Sequence, residues 1–222
     1  YLDSNGHGTH LAGIIAGFER GTDTRLKGIA YRSQIVNVKV GSYDGSVDVS
    51  QVIAGIDWVV QHKNDNGMNI RVLNLSYGTD SLQDPSIDPL SFAVEQAWKS
   101  GIVVVVAAGN DGPDVPLTNP ASNPFVIAVG ATAIQGDRRV GNDRVASFSS
   151  CGVGRTVDIV APGKSIESLR VENSLSDVLY PSARVDHTIG SDTFSLFRGT
   201  GSSQAAAVVS GAAALIIDQR PD

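Results

Sequence analysis

The sequence has little cysteine and no long apolar run. Its 222 residues include one cysteine, Cys151, so no disulfide can form within the chain. No partner base lies near Cys151 in the sequence, which favours a packed thiol over a catalytic one. The longest clear apolar run, from Ile102 to Ala108, has the length of a strand and is far too short to span a bilayer.

The charge balance gives no support to two classes of partner. The chain has 17 Lys and Arg against 23 Asp and Glu, a formal net charge of −6. This balance gives no electrostatic reason to expect binding to nucleic acid or to an anionic membrane. Apolar residues make up 41% and charged residues 18%, as is usual for soluble globular proteins. The length suits one α/β domain with a large core, and we expect residues 1–222 to form a single domain.

Strand-like and helix-like segments alternate along the chain. This pattern predicts a three-layer α/β fold, a mostly parallel sheet with helices on both faces. The strand candidates are β-branched or apolar runs: 34–40, 71–75, 101–108, 125–133 and 157–161. The helix candidates are 10–18, 52–61, 89–99 and 203–218. The last of these is apolar nearly all round, which predicts a buried central helix. The polar stretch 164–197 predicts a surface loop with one hairpin near 193–197.

A histidine lies between glycines at the start of the first helix candidate. The positive end of the helix dipole disfavours imidazolium, so His7 would stay neutral and able to accept a proton. Taken alone, His7 and His10 fit a capping histidine and a core histidine more simply. A metal pair is a third interpretation, but the chain has no glutamate-containing zinc pattern here.

Two more polar motifs follow apolar elements. The amide of Asn110, directly after the strand candidate 101–108, could donate to a developing oxyanion, although Asn-Asp-Gly is also a common turn. The hydroxyl of Ser203, at the first turn of the last helix candidate, is suited to nucleophilic attack, although an ordinary helix cap is the simpler local interpretation. The α/β-hydrolase elbow is excluded because it would need glycine where Ala205 stands.

Together the three motifs resemble, in order, the histidine, oxyanion-hole and nucleophile motifs of the subtilisin-like serine peptidase family. They are His7-Gly8-Thr9-His10-Leu11-Ala12-Gly13, Ala108-Gly109-Asn110 and Gly201-Ser202-Ser203-Gln204-Ala205-Ala206. Framework segments such as Leu73-Asn74-Leu75-Ser76 and Ala161-Pro162-Gly163 are also similar, and the resemblance covers nearly the whole chain. It departs from the family pattern at Ser202, Gln204 and Ala207, where Thr, Met and Pro are usual.

The resemblance implies a serine endopeptidase. Ser203 would attack the peptide carbonyl, His7 would act as general base, and Asn110 with the Ser203 backbone N–H would bind the oxyanion. The family's orienting aspartate precedes the histidine on an upstream strand. Asp3 lies only four residues before His7, at what resembles a loop position, and is not assigned this role. We therefore expect the catalytic Asp to lie outside residues 1–222 and the domain to be incomplete at its N-terminus and C-terminus.

The resemblance also implies where a peptide substrate binds. Gly45, Ser46 and Val47 resemble a strand edge that pairs with the substrate backbone. The walls of the pocket for the residue before the scissile bond would be formed by Ser76, Tyr77 and Gly78 on one side and by Ala107, Ala108 and Gly109 on the other. Tyr77 and the small walls predict a roomy apolar pocket and cleavage after large apolar or aromatic residues.

Other expectations concern cofactors, partners and alternatives. The chemistry requires no cofactor, and a structural calcium ion, although common in the family, is left unassigned near Glu19 and Asp23. We expect polypeptide substrates, no nucleic acid or membrane partner, a monomer, and a secreted or extracytoplasmic location. Two alternatives stay open: a catalytically inactive peptide-binding or scaffold protein, and an esterase-like acyl hydrolase.

Overall fold

The computed structural model describes residues 2–18, 26–134, 136, 140–189 and 192–220. The α-helices of this part of the chain are α1 His7–Ala16, α2 Val49–His62, α3 Pro89–Lys99, α4 Leu175–Leu179 and α5 Ser202–Gln219. Its strands are β1 Val72–Leu75, β2 Val103–Ala107, β3 Ile127–Ala133, β4 Arg144–Val145, β5 Ile159–Pro162, β6 Ile166–Leu169, β7 Arg184–Ile189 and β8 Asp192–Gly199.

The main sheet is mostly parallel. Strands β1, β2 and β3 are neighbours in that order, and β5 also pairs with β3; all these pairs are parallel. Only the short strand β4 runs antiparallel, beside the end of β3. Because parallel strands all point the same way, the carboxyl ends of β1 and β2 lie at one edge of the sheet.

Helices cover both faces of this sheet. Side chains alternate along β2, so Val104 and Val106 pack with Val94 of α3, whereas Val105 packs on the other face with Ala205 of α5. All five side chains are buried. The helix α5 contacts β1, β2, β3 and β5, as expected for a buried central helix. The structure therefore confirms the three-layer α/β architecture.

The strand expected over residues 34–40 is absent. This segment carries no secondary structure, and Ile35 and Val36 are 46% and 37% exposed. It lies against α2, where Val38 and Val40 approach Gly55. A groove separates it from β1. A β-branched run becomes a strand only when a neighbour pairs with its backbone, and no described residue pairs with this one.

A second sheet replaces much of the loop expected over 164–197. The strands β6, β8 and β7 form an antiparallel sheet in that order. The hairpin of β7 and β8 is longer than the one predicted near 193–197, and the helix α4 was not predicted at all. The helix α4 could not be predicted from periodicity, because ion pairs of Asp177 hold it and it has no buried apolar stripe.

Within the described residues, no helix has the length and apolar character that crossing a membrane requires.

Candidate active site

His7 is the first residue of α1, and two different groups fix the backbone just before it. Gly6 adopts φ 94°, a left-handed conformation that favours glycine. A Cβ on Gly6 would also lie 2.6 Å from Ser174 Oγ. The carboxylate of Asp3 accepts hydrogen bonds from the backbone N–H of Gly6 at 2.8 Å and of Thr9 at 2.8 Å. Asp3 therefore caps α1, as its position near the helix N-terminus favours.

His7 is exposed on the side of the groove that it lines, and neighbouring protein atoms desolvate the imidazole only in part. This partial desolvation lowers the pKa of His7 below its ordinary value, while the charge of Asp3 opposes the shift. The ring is therefore favoured in its neutral, proton-accepting form at neutral pH. Among the described residues, no carboxylate forms an ion pair or hydrogen bond with this ring.

A set of hydrogen bonds joins the start of α5 to the end of β2. Ser202 N–H donates to Asn110 Oδ1 at 2.8 Å. In return, Gly109 N–H donates to Ser202 Oγ at 3.1 Å. The neighbouring strand also takes part, since Ser76 Oγ donates to the Ser203 carbonyl at 3.1 Å. The nucleophile candidate is thus attached to the ends of both β1 and β2.

Two donors beside Ser203 keep their hydrogen-bonding capacity. Asn110 uses Oδ1 for the contact with Ser202, and its amide nitrogen, Nδ2, makes no hydrogen bond within the described residues. The Ser203 N–H belongs to the first turn of α5, where helix geometry leaves backbone donors without an internal partner. Asn110 and Ser203 line one small cavity, so an amide donor and a backbone donor are available there, as an oxyanion hole would require.

Helix packing brings the histidine and the serine to neighbouring helix starts. Leu11 of α1 and Ala207 of α5 belong to the same buried apolar cluster. Residues four apart lie on the same face of a helix. His7 precedes Leu11 by four residues on α1, and Ser203 precedes Ala207 by four residues on α5, so both lie on the faces where the two helices pack. The two cavities that these residues border also share Ser76 in their walls.

His10 and Gln204 lie close together beneath the two helix starts. A Cβ on Gly199 would clash with Gln204 Nε2 and would lie 2.6 Å from His10 Nε2. Both side chains are buried, and His10 packs edge-on against Phe197. Burial lowers the pKa of His10 to about 4, and the charge of His7 adds to the effect while the Leu169 backbone opposes it. His10 is therefore a neutral core histidine, as one local interpretation of the sequence held.

The walls expected for a substrate pocket do surround one cavity. It has a volume of about 120 Å³, and its lining joins both walls to the nucleophile and oxyanion residues: Ser76, Tyr77, Gly78, Ala107, Gly109, Asn110, Thr118, Ser202 and Ser203. Ala108 is the exception, because its side chain is 3% exposed and packs in the core. Polar side chains supply most of the lining, so the cavity is smaller and less apolar than the sequence predicted.

The expected strand edge at 45–47 has a different shape. Ser42 N–H donates to the Ser46 carbonyl at 2.9 Å, and Asp44 Oδ1 accepts from both the N–H and the Oγ of Ser46. Gly45 completes the turn with φ 86°. No described strand includes residues 45–47, so the strand expected over Gly45, Ser46 and Val47 does not form, while their pairing with a substrate backbone stays a prediction. Gly45 and Val47 nevertheless line the groove that contains His7.

That groove is wide, with a volume of about 1180 Å³. It runs between segment 34–41, α2, β1 and the end of α5. The backbone of segment 34–40 and the outer edge of β1 both face it without a paired strand among the described residues. The histidine therefore borders an open apolar channel, whereas the serine borders a small polar pocket.

No metal site is assigned. Glu19 and Asp23, where a calcium site was considered, lie outside the described residues. Elsewhere in the part of the chain that the structure describes, no three histidine, cysteine or acidic side chains cluster closely enough to hold a metal ion.

The structure adds residues that the sequence did not indicate. Ser202 and Asp3 bind the backbone around the nucleophile and the base, and Thr118 lines the pocket from a distant loop. Adjacency to the motifs was the only signal for Ser202 and Asp3. Thr118 had no local signal, because only the folded chain brings its loop to the pocket.

Comparison with known proteins was made by sequence and by structure. The profile of the Subtilase family matches residues 1–222. Serine protease AprX of Bacillus subtilis strain 168 is 41% identical over 99% of this chain and 50% of its own length. Subtilisin-like protease 1 of Arthroderma otae is 40% identical over 76% of this chain and 30% of its own length. The chain thus spans half or less of the length of these relatives.

Solved structures give the same result. A cold-adapted subtilisin-like serine proteinase superposes with a TM-score of 0.72 at 32% identity, covering 98% of this chain and 63% of its own. Sphericase superposes with a TM-score of 0.77 at 27% identity, covering all of this chain and 66% of its own.

Proposed function

The chain belongs to the subtilase family, and we propose that the protein is a serine endopeptidase, a hydrolase that acts on peptide bonds. The observation that carries this proposal is the arrangement at the start of α5. There Ser202 N–H donates to Asn110 Oδ1, Asn110 and Ser203 line one small cavity, and the helix that begins with His7 packs against α5. An acyl-transfer site needs a nucleophile, a neutral base and oxyanion donors in one place.

The proposed mechanism assigns one task to each residue. His7, kept neutral by its surroundings, accepts the Ser203 hydroxyl proton as Ser203 Oγ attacks the carbonyl carbon of the peptide. Asn110 Nδ2 and the Ser203 N–H donate to the oxygen that becomes negative. The protonated His7 then gives its proton to the leaving amine, and an acyl-enzyme forms on Ser203. Water attacks this ester in the second half of the cycle, with His7 again acting as the base.

The carboxylate that orients His7 is proposed to come from outside residues 1–222. Within the described residues, the Asp3 carboxylate already accepts bonds from backbone N–H groups and caps α1. An incoming carboxylate could approach the His7 ring through the wide groove, which reaches the ring from the side of β1. Without such a partner the ring has no group to fix its tautomer, and we expect weak activity from residues 1–222 alone.

Polypeptide substrates, a monomeric state and a secreted or extracytoplasmic location stay predictions. So does the absence of nucleic acid among its partners. The acidic composition supports that last prediction, since a net charge of −6 opposes binding to phosphate backbones.

The proposal is tested by covalent labelling of the full-length protein. A peptidyl phosphonate, which reacts only with an activated serine, should label the wild-type protein at Ser203, and hydrolysis of casein should fall as labelling proceeds. The Ser203→Ala variant should neither be labelled nor hydrolyse casein, whereas Ser202→Ala should still be labelled. A protein that binds the peptide without being labelled would instead be the catalytically inactive alternative. Labelling with turnover of small esters and none of peptides would favour the acyl hydrolase.

A further inference from the structure

A buried carboxylate lies behind the histidine side of the site and has no part in the mechanism above. Asp177, in α4, is 2% exposed. Arg170 Nε donates to its Oδ1 at 2.6 Å, and Arg170 Nη2 donates to its Oδ2 at 2.9 Å. Arg184 Nε donates to Oδ1 at 2.8 Å, and Asn173 N–H donates to Oδ2 at 3.0 Å. The hydrogen bonds from Arg170, above all, hold the pKa of Asp177 far below its usual value, so the group stays charged.

This ion cluster joins three segments of the chain. Arg170 follows the last residue of β6, and Arg184 is the first residue of β7. Arg184 also donates from Nη2 to the backbone carbonyl of Asp177 at 2.8 Å. The helix α4 has five residues, too few to be stable as an isolated helix. Its position therefore depends on the carboxylate that the two arginines hold.

The first turn of α4 reaches the residues that precede His7. Leu175 N–H donates to the Ser4 carbonyl at 2.9 Å, and Ser176 N–H donates to the Asn5 carbonyl at 3.1 Å. These are first-turn donors, which a helix cannot satisfy internally. They bind two consecutive peptide groups directly before Gly6 and His7.

The same contact extends to the turn beside the groove. The Asn5 side chain donates from Nδ2 to the Tyr43 carbonyl at 3.2 Å. A Cβ on Gly45 would lie 3.1 Å from Asn5 Nδ2, so the turn packs closely on this amide. A displacement of α4 would therefore move the Asn5 backbone together with its neighbours on both sides.

We propose that Asp177 is a positioning residue for His7, which acts through the two α4 amides that hold Ser4 and Asn5. The inference rests on the proposed function, since it gives His7 the task of general base. Asp177 does not orient the imidazole itself, because its oxygens already accept bonds from Arg170, Arg184 and Asn173. Its effect on catalysis is exerted on the backbone that carries the base.

The first test compares two charge-removing substitutions from the same segment of the full-length protein. Asp177→Asn removes the charge that both arginines bind. Glu172→Gln removes a charge from a side chain that is 77% exposed and meets Arg170 only at 3.9 Å. We expect Asp177→Asn to lower kcat/KM by between about 10-fold and 100-fold, because small displacements of a catalytic group have effects of this size. Glu172→Gln should stay within about twofold of the wild type.

A second variant keeps the test valid if Asp177→Asn does not fold. Leu175→Pro removes the N–H that binds Ser4 and leaves the ion cluster in place. Proline fits the first position of a helix, and Ser174 before it is extended, with ψ 163°, as a residue before proline prefers. We expect a loss of about tenfold in kcat/KM. Unchanged activity in this variant would overturn the proposal.

A double-mutant cycle separates positioning of His7 from a general loss of structure. In a His7→Ala background, the slow residual hydrolysis depends on the oxyanion hole and on substrate binding. Asp177→Asn should change that residual rate by less than about twofold, because the base that it positions is gone. An equal loss in both backgrounds would show that Asp177 acts on the whole fold and would overturn the inference.

The two proposals fail in different ways. If the wild-type protein neither hydrolyses peptides nor reacts with the phosphonate, the proposed function is wrong, and the positioning role with it. If the wild-type protein is active and Asp177→Asn behaves like Glu172→Gln, only the positioning role is wrong.

Discussion

Ser203 and His7 both lie in the first turn of a helix, yet the two helix starts are held by different means. Around Ser203 the supports come from the carboxyl ends of β1 and β2, two neighbouring strands of the main sheet. Around His7 they come from the Asp3 carboxylate and the two amides of α4, and one side opens on a groove of about 1180 Å³. The nucleophile belongs to the core, whereas the base depends on polar contacts at the edge of the fold.

This difference separates two kinds of effect. A substitution on the nucleophile side should alter chemistry with little change in backbone position, because many buried contacts hold that region. A substitution on the histidine side should alter geometry, since a few hydrogen bonds set it. The following predictions test this contrast.

The largest effect is expected on the nucleophile side, from loss of the Asn110 amide. Asn110→Asp keeps the shape and the acceptor for Ser202 N–H but removes the Nδ2 donor. We expect kcat to fall by about 10²- to 10³-fold with little change in KM, a magnitude known from the corresponding amide of subtilisin itself. Steady-state kinetics on a peptide substrate measure it.

The neighbouring Asp111→Asn, in the same exposed turn, is the control and should leave kcat unchanged. If Asn110→Asp raised KM while kcat stayed constant, the amide would serve substrate binding and not the oxyanion.

The same contrast explains what the sequence could predict. The three-layer fold followed from apolar strands and helices whose periods are local, such as 101–108 and 203–218. The group of Asn110 and Ser203 followed from motif order, since both stand at the ends of core elements. On this side of the site, the structure places Asn110 and Ser203 in one small cavity, but Ala108 packs in the core and the cavity is smaller and more polar than predicted.

The histidine side could be predicted less well. Segment 34–40 has a strand-like composition, but strand formation depends on a partner that lies elsewhere. The helix α4 is held by Asp177, whose arginine partners lie seven residues away on either side, a spacing without a secondary-structure signature. The turn at 42–46 depends on Asp44 and on the positive φ of Gly45, which family resemblance alone did not reveal.

An intermediate effect is expected from acid, through His10 beneath the two helix starts. Its pKa is lowered from 6.5 to about 4 in the folded protein, so between these values the unfolded chain binds more protons. The free energy of unfolding should therefore fall as the pH drops from about 6.5 to about 4, by up to about 3 kcal/mol. Urea unfolding at a series of pH values measures this slope.

His10→Gln should flatten the slope in that window, because glutamine takes up no proton. His62→Gln, on the far helix α2, is the matched control and should leave the slope as it is. An identical slope in the wild type and in His10→Gln would show that His10 does not cause the acid sensitivity.

The smallest effect is expected from the cap of α1, and it bears most directly on the comparison. Asp3→Ala and Asp88→Ala each remove an aspartate that caps a helix, α1 in the first case and α3 in the second. Each should lower the free energy of unfolding by about 1 kcal/mol, the usual contribution of such a cap. Only Asp3→Ala should also lower kcat/KM, by about tenfold, because α3 lies on the opposite face of the sheet from α5, the helix that carries Ser203. Both variants are assayed under conditions in which both are folded. Equal kcat/KM in the two would show that loss of the α1 cap does not displace His7, and the contrast between the two sides would then not extend to catalysis.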